Sequence, residues 1–371
     1  WLATARKHRE AGDPNLAHDY YLAYVRATGY TDMPVVVEAA ELERAMGRTR
    51  DACRLILDAN EFEHLDGLDL QKMQKSPFDR RRMRYAEYTE RFEVDADVVF
   101  FESFWGTKTN DNPLAIYEAM REDARFAHCK FYWSVADTAV LSDRLVDDDR
   151  TVIVEYGSIA YDRLLATAAY VITNTSLVEY FYRRNEQTVI NTWHGTPLKT
   201  LGKQIGTGVL EHANITRNLL NTSILFAPNA YTANALVRDY DIEGLGTCDV
   251  VVGGSPRLDR VMDSDSVGRV EILRRIGIDP AMTSRVIFYA PTWRGSNDER
   301  SMDIGGAREA LDALSTLPDA TILFRAHHLA EASLVGVDLK AVVVPPEVDT
   351  YDVLRVAAVL ITDYSSLLFD F

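Results

Sequence analysis

A chain of 371 residues with 47% hydrophobic content is long enough for two or three domains with cores of their own, which excludes a disordered or low-complexity protein. Its 56 acidic and 40 basic side chains leave a formal charge of -16, excluding a broad cationic surface and nonspecific nucleic-acid binding by the chain as a whole; any anion site must be local. Cys53, Cys129 and Cys248 are isolated, without a CxxC pair, which fits a reducing, cytosolic compartment rather than a disulfide framework or zinc cluster.

The sequence opens on Trp1 rather than Met, without a charged-then-apolar signal segment, and stops at Phe371 inside an apolar run. Both ends read as cut edges, so targeting information can lie outside them. No apolar run reaches the roughly 18 residues of a membrane span. Residues 1–92 carry helix-period patterns, as in "NLAHDYYLAYVRATGY" and "MPVVVEAAELERAMGRTRDACRLILDANEF", without strand-like runs. Asp13 with Pro14 predicts one helix start, and Thr31, Asp32 and Pro34 another. Short antiparallel helices of this kind fit either a helical-repeat hairpin or a helical cap. The stretch "KMQKSPFDRRRMRYAEYTERF" then concentrates Lys72, Lys75, Arg80, Arg81, Arg82 and Arg84. It reads either as a solvated helix face or as a patch for anionic lipid headgroups or a polyanionic product.

From about residue 95 short β-branched or aromatic runs alternate with amphipathic helical stretches. The runs are "DVVFFES", "KFYWSV", "TVIVEY", "AYVITN", "TVINTW", "SILFAPN", "CDVVVGG", "RVIFYAPT", "TILFRAH", "AVVVPP" and "VLITD". Apolar runs separated by helices predict parallel strands covered on both faces, an α/β fold class. Eleven candidates exceed one ordinary doubly wound sheet, so two α/β domains in tandem are expected, 93–262 and 263–371, dividing near Pro256 to Asp265. "AAYVITNTSLVEYF" and "AAVLITDYSSLLFDF" share a strand, a polar corner and an apolar helix start; they read either as equivalent corners of two similar domains or as two ordinary capped turns.

In open α/β sheets ligands collect at the carboxyl ends of strands, and polar groups gather at those ends here, in "TWHG", "APTWRG", "FRAHH" and "ITDYSS". A neutral imidazole at His194 can take a proton from an attacking hydroxyl, and Gly195 lets a ligand approach the backbone. Trp193 reads as packing and Pro197 as setting the outgoing turn. Arg325 with His327 suits a diphosphate whose charge rises as a bond breaks, although either histidine alone also fits a structural role. Asp363, Ser365 and Ser366 open a helix where an anion or a plain N-cap would both fit. Arg257 and Arg294 are further cations near strand ends, for a ligand or for surface salt bridges. No GxxxxGK[ST], GxSxG or HExxH pattern is present, and no DxD-like pair stands at a convincing strand end, which disfavours P-loop, α/β-hydrolase and zincin chemistry, and nothing indicates a metal site.

"FESFWGTKTNDNPLAIYEAM", "NTWHGTPLKTLG", "GGSPRLD", "YAPTWRG", "FRAHH" and "ITDYSSLLFDF" occur in an order that resembles the CDP-glycerol glycerophosphotransferase family, the teichoic-acid polymerases and primases, from about Asp97 to Phe371. The resemblance implies a GT-B-like pair of Rossmann-type domains facing a cleft, preceded by the small helical region, with the nucleotide held mainly by the second domain. It implies transfer of glycerol phosphate from CDP-glycerol to a hydroxyl of a lipid-linked or poly(glycerol phosphate) acceptor, releasing CMP, without a cofactor or metal, by an enzyme peripherally attached to the inner face of a bacterial membrane. His194 is the implied general base and His327 the diphosphate stabiliser. The donor set is Gly195, Thr196, Pro197, Arg257, Thr292, Arg294, Arg325, Asp363, Ser365 and Ser366; Glu102, Trp105, Asn110, Asp111 and Asn112 face the acceptor side. Asn112 with Pro113 reads equally as a helix cap and first-turn proline. His328 stands where the family motif has proline, and the family continues beyond its Thr-Asp-Tyr-Ser-Ser motif, implying a further segment after Phe371. CDP-ribitol or another activated donor, and a catalytically inactive interaction protein, are the alternatives; intact His194 and His327 argue against the last.

Overall fold

A computed structural model of the chain describes residues 1–28, 32–59, 77–137, 139, 141–206, 211–262, 266–282, 285–292, 294–295, 300–301, 304–325 and 339–371. The chain divides into two compact units, Trp1–Glu93 and Val94–Phe371.

The first unit is helical: α1 (Leu2–Glu10), α2 (Pro14–Ala27), α3 (Met33–Ala45), α4 (Thr49–Ala59) and α5 (Pro77–Arg91). Asp13 caps α2 by accepting the Leu16 amide at 3.1 Å, with Pro14 in the first turn, as its sequence predicts. Asp32 stands at the start of α3 and instead accepts the Tyr24 hydroxyl at 2.7 Å; Thr31 lies outside the described residues. Helix α1 packs on α2 and α3 on α4. Small residues allow this close approach: Ala5, Ala17, Ala39, Ala40 and Ala52 are buried around Tyr21 and Ile56. No helix among the described residues is long and apolar enough to cross a membrane. Of the basic stretch, Lys72 and Lys75 lie outside the described residues. Arg80, Arg81, Arg82 and Arg84 are on α5, where Arg82 comes within 3.9 Å of Asp79.

The second unit contains two parallel sheets. The larger has seven strands in the order β3-β2-β1-β4-β5-β6-β7, made of β1 (Asp95–Glu102), β2 (Lys130–Val135), β3 (Thr151–Glu155), β4 (Ala168–Thr173), β5 (Thr188–Asn191), β6 (Ile224–Ala227) and β7 (Asp249–Val252). The smaller has the order β12-β11-β8-β13, made of β8 (Arg285–Ala290), β11 (Ala320–Phe324), β12 (Val342–Val343) and β13 (Val359–Thr362). All eleven apolar runs are strands. A short antiparallel pair, β9 (Arg294–Gly295) with β10 (Arg300–Ser301), adds what an apolar pattern could not reveal. Central strands are covered on both faces: Val99, Phe100, Phe101, Phe131, Trp133, Val171 and Ile172 are fully buried, and Phe101 stacks on Trp133 at 5.0 Å. The edge strand β7 differs from the expectation, since every residue of it is exposed.

Both sheets turn at the same place. In the larger, the first and fourth strands, β1 and β4, are neighbours; in the smaller, its first and fourth, β8 and β13, are. Chain growth reverses direction there, opening a crevice at the carboxyl ends. The two crevices are closed by the same bond. Phe104, two residues past β1, donates its amide to Oδ1 of Asn174, the residue after β4, at 3.0 Å. Thr292, two residues past β8, donates its amide to Oδ1 of Asp363, the residue after β13, at 2.7 Å. The two sequences that share a polar corner therefore occupy equivalent positions.

Candidate functional site

The loop after β5 carries His194 into the crevice of the larger sheet. Asn191 fixes its start: Oδ1 accepts the Trp193 amide at 2.9 Å while Nδ2 donates to the Thr175 carbonyl at 2.8 Å. Trp193 is buried, with φ 51°, and its ring stacks on the His194 imidazole at 4.6 Å; Phe104 meets the imidazole edge-on at 5.8 Å. His194 Nδ1 lies 2.8 Å from the Asn174 carbonyl. A carbonyl can only accept, so Nδ1 carries the proton. Burial lowers the pKa of His194 below its ordinary 6.5, against the opposing pull of the Asn174 bond and Asp111, with Arg257 adding to the lowering. The ring is thus neutral near pH 7, and Nε2 holds a lone pair.

Strain marks the same place. Six non-glycine residues among the described ones have positive φ, and Phe104 (47°), Trp105 (56°), Asp111 (67°) and Trp193 (51°) all belong to the loops after β1 and β5. Each such residue costs on the order of 1–3 kcal/mol and persists only where its surroundings over-determine it. Asp111 begins helix α6 (Asp111–Glu122), with Pro113 in its first turn; the N-cap is Asn110, so Asn112 lies inside the helix rather than capping it as the cap reading expects.

The two sheets meet at Gly195. Its φ is 148°, and a Cβ there would lie 2.6 Å from Oγ and 2.7 Å from Cβ of Ser366. Only glycine fits that approach. Beside it lies Arg257, whose Nη1 meets Asp111 at 2.7 Å and Nη2 meets Asp370 at 2.8 Å, while its guanidinium covers the Tyr351 ring at 4.8 Å. Its amide donates to Asn112 Oδ1 at 3.2 Å. Burial works against its charge, but Asp111, Tyr351 and Asp370 outweigh it and raise its pKa above the guanidinium value.

The structure therefore brings Trp105, Asn110, Asp111, Asn112, His194, Gly195, Thr196, Arg257 and Ser366 to one junction. Several expected roles change. Arg257 is buried between two carboxylates rather than open to a ligand, because its charge is needed to offset Asp111 and Asp370. Arg325 is committed to the loop after β12, donating to the Pro345 and Val348 carbonyls at 2.8 and 2.5 Å and to the Thr350 hydroxyl at 2.7 Å. The guanidinium thereby ties this loop to the start of helix α7 (Thr350–Val356), where the Pro345 carbonyl also accepts the Val348 amide at 3.1 Å. Glu102 is fully buried beside the buried phenol of Tyr161, so it faces the core rather than an open acceptor side. Thr196 is buried and its hydroxyl accepts from Asn229 at 2.9 Å; Pro197 is half-buried. Thr292 and Asp363 close the second corner, and Ser365 Oγ accepts the Leu367 amide at 3.2 Å. Arg294 lies on β9; His327 and His328 lie outside the described residues. Missed in the sequence were Asn174, Asn191, Tyr351 and Asp370, all neutral or ordinary residues whose only signal was their place at a strand end or helix start.

A cleft of about 380 Å³ opens beyond this loop, between Pro197 to Leu201 and Tyr231, Ala235 and Arg238. A larger one of about 590 Å³, bordered by Tyr182, Lys203, His212 and Arg217, shares no residue with the site.

A family model described as CDP-Glycerol:Poly(glycerophosphate) glycerophosphotransferase matches residues 84–371. The chain belongs to this family. Among similar glycerophosphotransferases is the teichoic acid glycerol-phosphate transferase of Staphylococcus aureus, 26% identical, with 74% of this chain and 71% of that protein covered. The teichoic acid poly(glycerol phosphate) polymerase of Bacillus subtilis is 27% identical, with 76% of this chain but only 38% of that protein covered, so the chain spans well under half of the polymerase's length. A solved structure of the wall teichoic acid polymerase TagF is similar with a TM-score of 0.67 and 26% identity, covering 81% of this chain and 74% of that one.

Replacing Arg257 by Met leaves Asp111 and Asp370 buried without their cation, which is expected to destabilise the protein by about 3–5 kcal/mol. Urea unfolding at neutral pH measures this; a loss below about 1 kcal/mol would show that the cluster is not structurally decisive.

Proposed function

We propose that the protein transfers glycerol phosphate from CDP-glycerol to a hydroxyl of a poly(glycerol phosphate) or lipid-linked acceptor in teichoic-acid or related polymer synthesis. The observation that carries this reading is the neutral His194, its Nδ1 proton fixed on the Asn174 carbonyl and its Nε2 lone pair free to act, set where the larger sheet meets Ser366. In the proposed step the acceptor hydroxyl oxygen bonds to the glycerol-bearing phosphorus and its proton passes to Nε2. The bond from that phosphorus to the bridging oxygen breaks, and CMP leaves with the bridging oxygen and its electron pair. Little covalent work falls to the protein in such a reaction; holding the hydroxyl in line with the phosphorus supplies most of the acceleration. The Gly195–Ser366 approach brings the start of the last helix next to the loop that carries His194. The same proposal takes His327 as the stabiliser of the diphosphate, as the resemblance of its Arg-x-His motif implies.

His194→Ala should slow CMP release by about 10²–10⁴-fold while leaving the Kd for CDP-glycerol within a few-fold. Protonation removes the base, and burial lowers the pKa at which this happens. The midpoint of the fall in wild-type rate should therefore lie below pH 6.5. A near-wild-type rate in the alanine variant would remove the assigned role. Release of CMP from CDP-ribitol but not CDP-glycerol would reassign the donor.

Attachment to anionic lipid through the α5 arginines belongs to the same proposal, supported by Arg80, Arg81, Arg82 and Arg84 on one fifteen-residue helix. Phosphatidylglycerol vesicles should float the protein, and reversing these four charges should abolish it; unchanged flotation would count against the helix.

A further inference from the structure

We propose that the corner formed by Asn110, Asn174, Thr175 and Ser176, in the crevice between β1 and β4, binds the terminal polyol of the acceptor, the unit bearing the attacking hydroxyl. The inference rests on the transferase reading above and adds a site to it.

Buried polar atoms normally find partners, and one left without a partner costs stability. Three such atoms belong to this corner. Asn174 is fully buried, Thr175 nearly so, and neither Asn174 Nδ2 nor Thr175 Oγ1 has a hydrogen-bond partner among the described residues; Asn110 Oδ1 is likewise buried without one. The orientation of the Asn174 amide is fixed, because its oxygen accepts the Phe104 amide, so the unpartnered atom is the NH₂ donor. The same residue's backbone carbonyl holds His194, so a ligand bound at this corner lies beside the imidazole.

The chemistry of the set selects its ligand. An amide donor together with a hydroxyl that both donates and accepts matches polyol hydroxyls, which also do both. The corresponding corner of the smaller sheet reads Thr362-Asp363-Tyr364-Ser365 where this one reads Thr173-Asn174-Thr175-Ser176. At the equivalent position an aspartate carboxylate makes the bond to Thr292, whereas here an amide makes the bond to Phe104 and keeps a donor in reserve. Tyr364 is exposed, and Thr175 is buried. The two crevices thus share their geometry and differ in chemistry. At the rim, the half-exposed Trp105 donates Nε1 to Ser176 Oγ at 3.3 Å, offering an apolar face to the carbon side of a polyol.

Thr175→Val removes one unpartnered hydroxyl and nothing that holds the fold. A short glycerol phosphate oligomer, titrated against the full chain without donor and followed by tryptophan fluorescence, is the probe. The Kd for the oligomer should rise about tenfold in Thr175→Val. The unfolding temperature should not fall, and the Kd for CDP-glycerol should stay within twofold. An oligomer ending in 1,3-propanediol, which lacks the secondary hydroxyl, should bind wild type more weakly than the glycerol-ended one, and the variant should lose that preference. Asn110→Ala, whose side chain makes no cap bond, should act in the same direction and serves if the valine variant does not fold. Equal oligomer affinity in wild type and both variants, or a parallel loss of CDP-glycerol affinity, overturns the proposal. CMP release by wild type is measured separately, so failure of the transfer reading and failure of this corner give different results.

Discussion

The junction of the two sheets depends on a buried guanidinium. Arg257 is 4% exposed, and removing such a charge from water costs several kcal/mol before any partner is counted. Its partners come from both sides: Asp111 from the start of α6 beneath the larger sheet, Asp370 and Tyr351 from the end of the smaller one. One cation between two carboxylates leaves an excess negative charge, and the effect is visible on Asp370, where burial pushes the carboxyl above its ordinary value despite Arg257. A carboxyl raised on folding weakens the fold at neutral pH, since the unfolded chain ionises it more readily. On Arg257 the sign is opposite, since its raised pKa favours the charged form in the fold, and what the cluster sets is position. It fixes Asp111 in its left-handed conformation and the helix that ends in Asp370 against the loop that carries Gly195, so the close approach of Ser366 to Gly195 follows from it.

The same corner is built twice. In each sheet the second residue past the first strand donates its amide to the side chain that follows the fourth strand, and this bond bridges the crevice at the turn of strand order. Repeating the device gives each sheet a polar corner at its turn of strand order. What distinguishes them is a single atom, amide nitrogen against carboxylate oxygen. The strained backbone gathers in the larger sheet's loops, at Phe104, Trp105, Asp111 and Trp193, which locates the demanding geometry on the side of His194.

The fold was legible because parallel strands buried on both faces must be written as unbroken apolar runs, and each of the eleven runs is a strand. The same signal overstated β7, since Val250 to Val252 have the composition of a core strand but lie at an edge. It could not reach the β9–β10 pair, which has no apolar pattern. At the site, the types of residue were legible and their partners were not. An arginine at a strand end looks the same whether it awaits an anion or is already paired, and Arg257 takes its carboxylates from 146 and 113 residues away. Arg325 meets carbonyls that only the folded loop brings to it. Asn174 gave no signal beyond its place at a strand end, because its importance lies in using one side chain and one carbonyl to hold two different loops.

That double use bears on the chemistry. A carboxylate on Nδ1 would stabilise the imidazolium and raise the pKa of His194; a carbonyl fixes the tautomer with far less preference for the charged ring. Burial against Trp193 and Phe104 then favours the neutral ring, so the proposed base is in its active form at neutral pH but is weak. A weak base suffices when the transition state is loose, since little of the nucleophile's proton needs to leave before the phosphorus–oxygen bond to the leaving group has stretched. The demand shifts from basicity to alignment. Alignment is what the rest of the junction supplies: a stacked imidazole, a glycine that admits the opposite sheet, and a buried arginine that sets the distance between them.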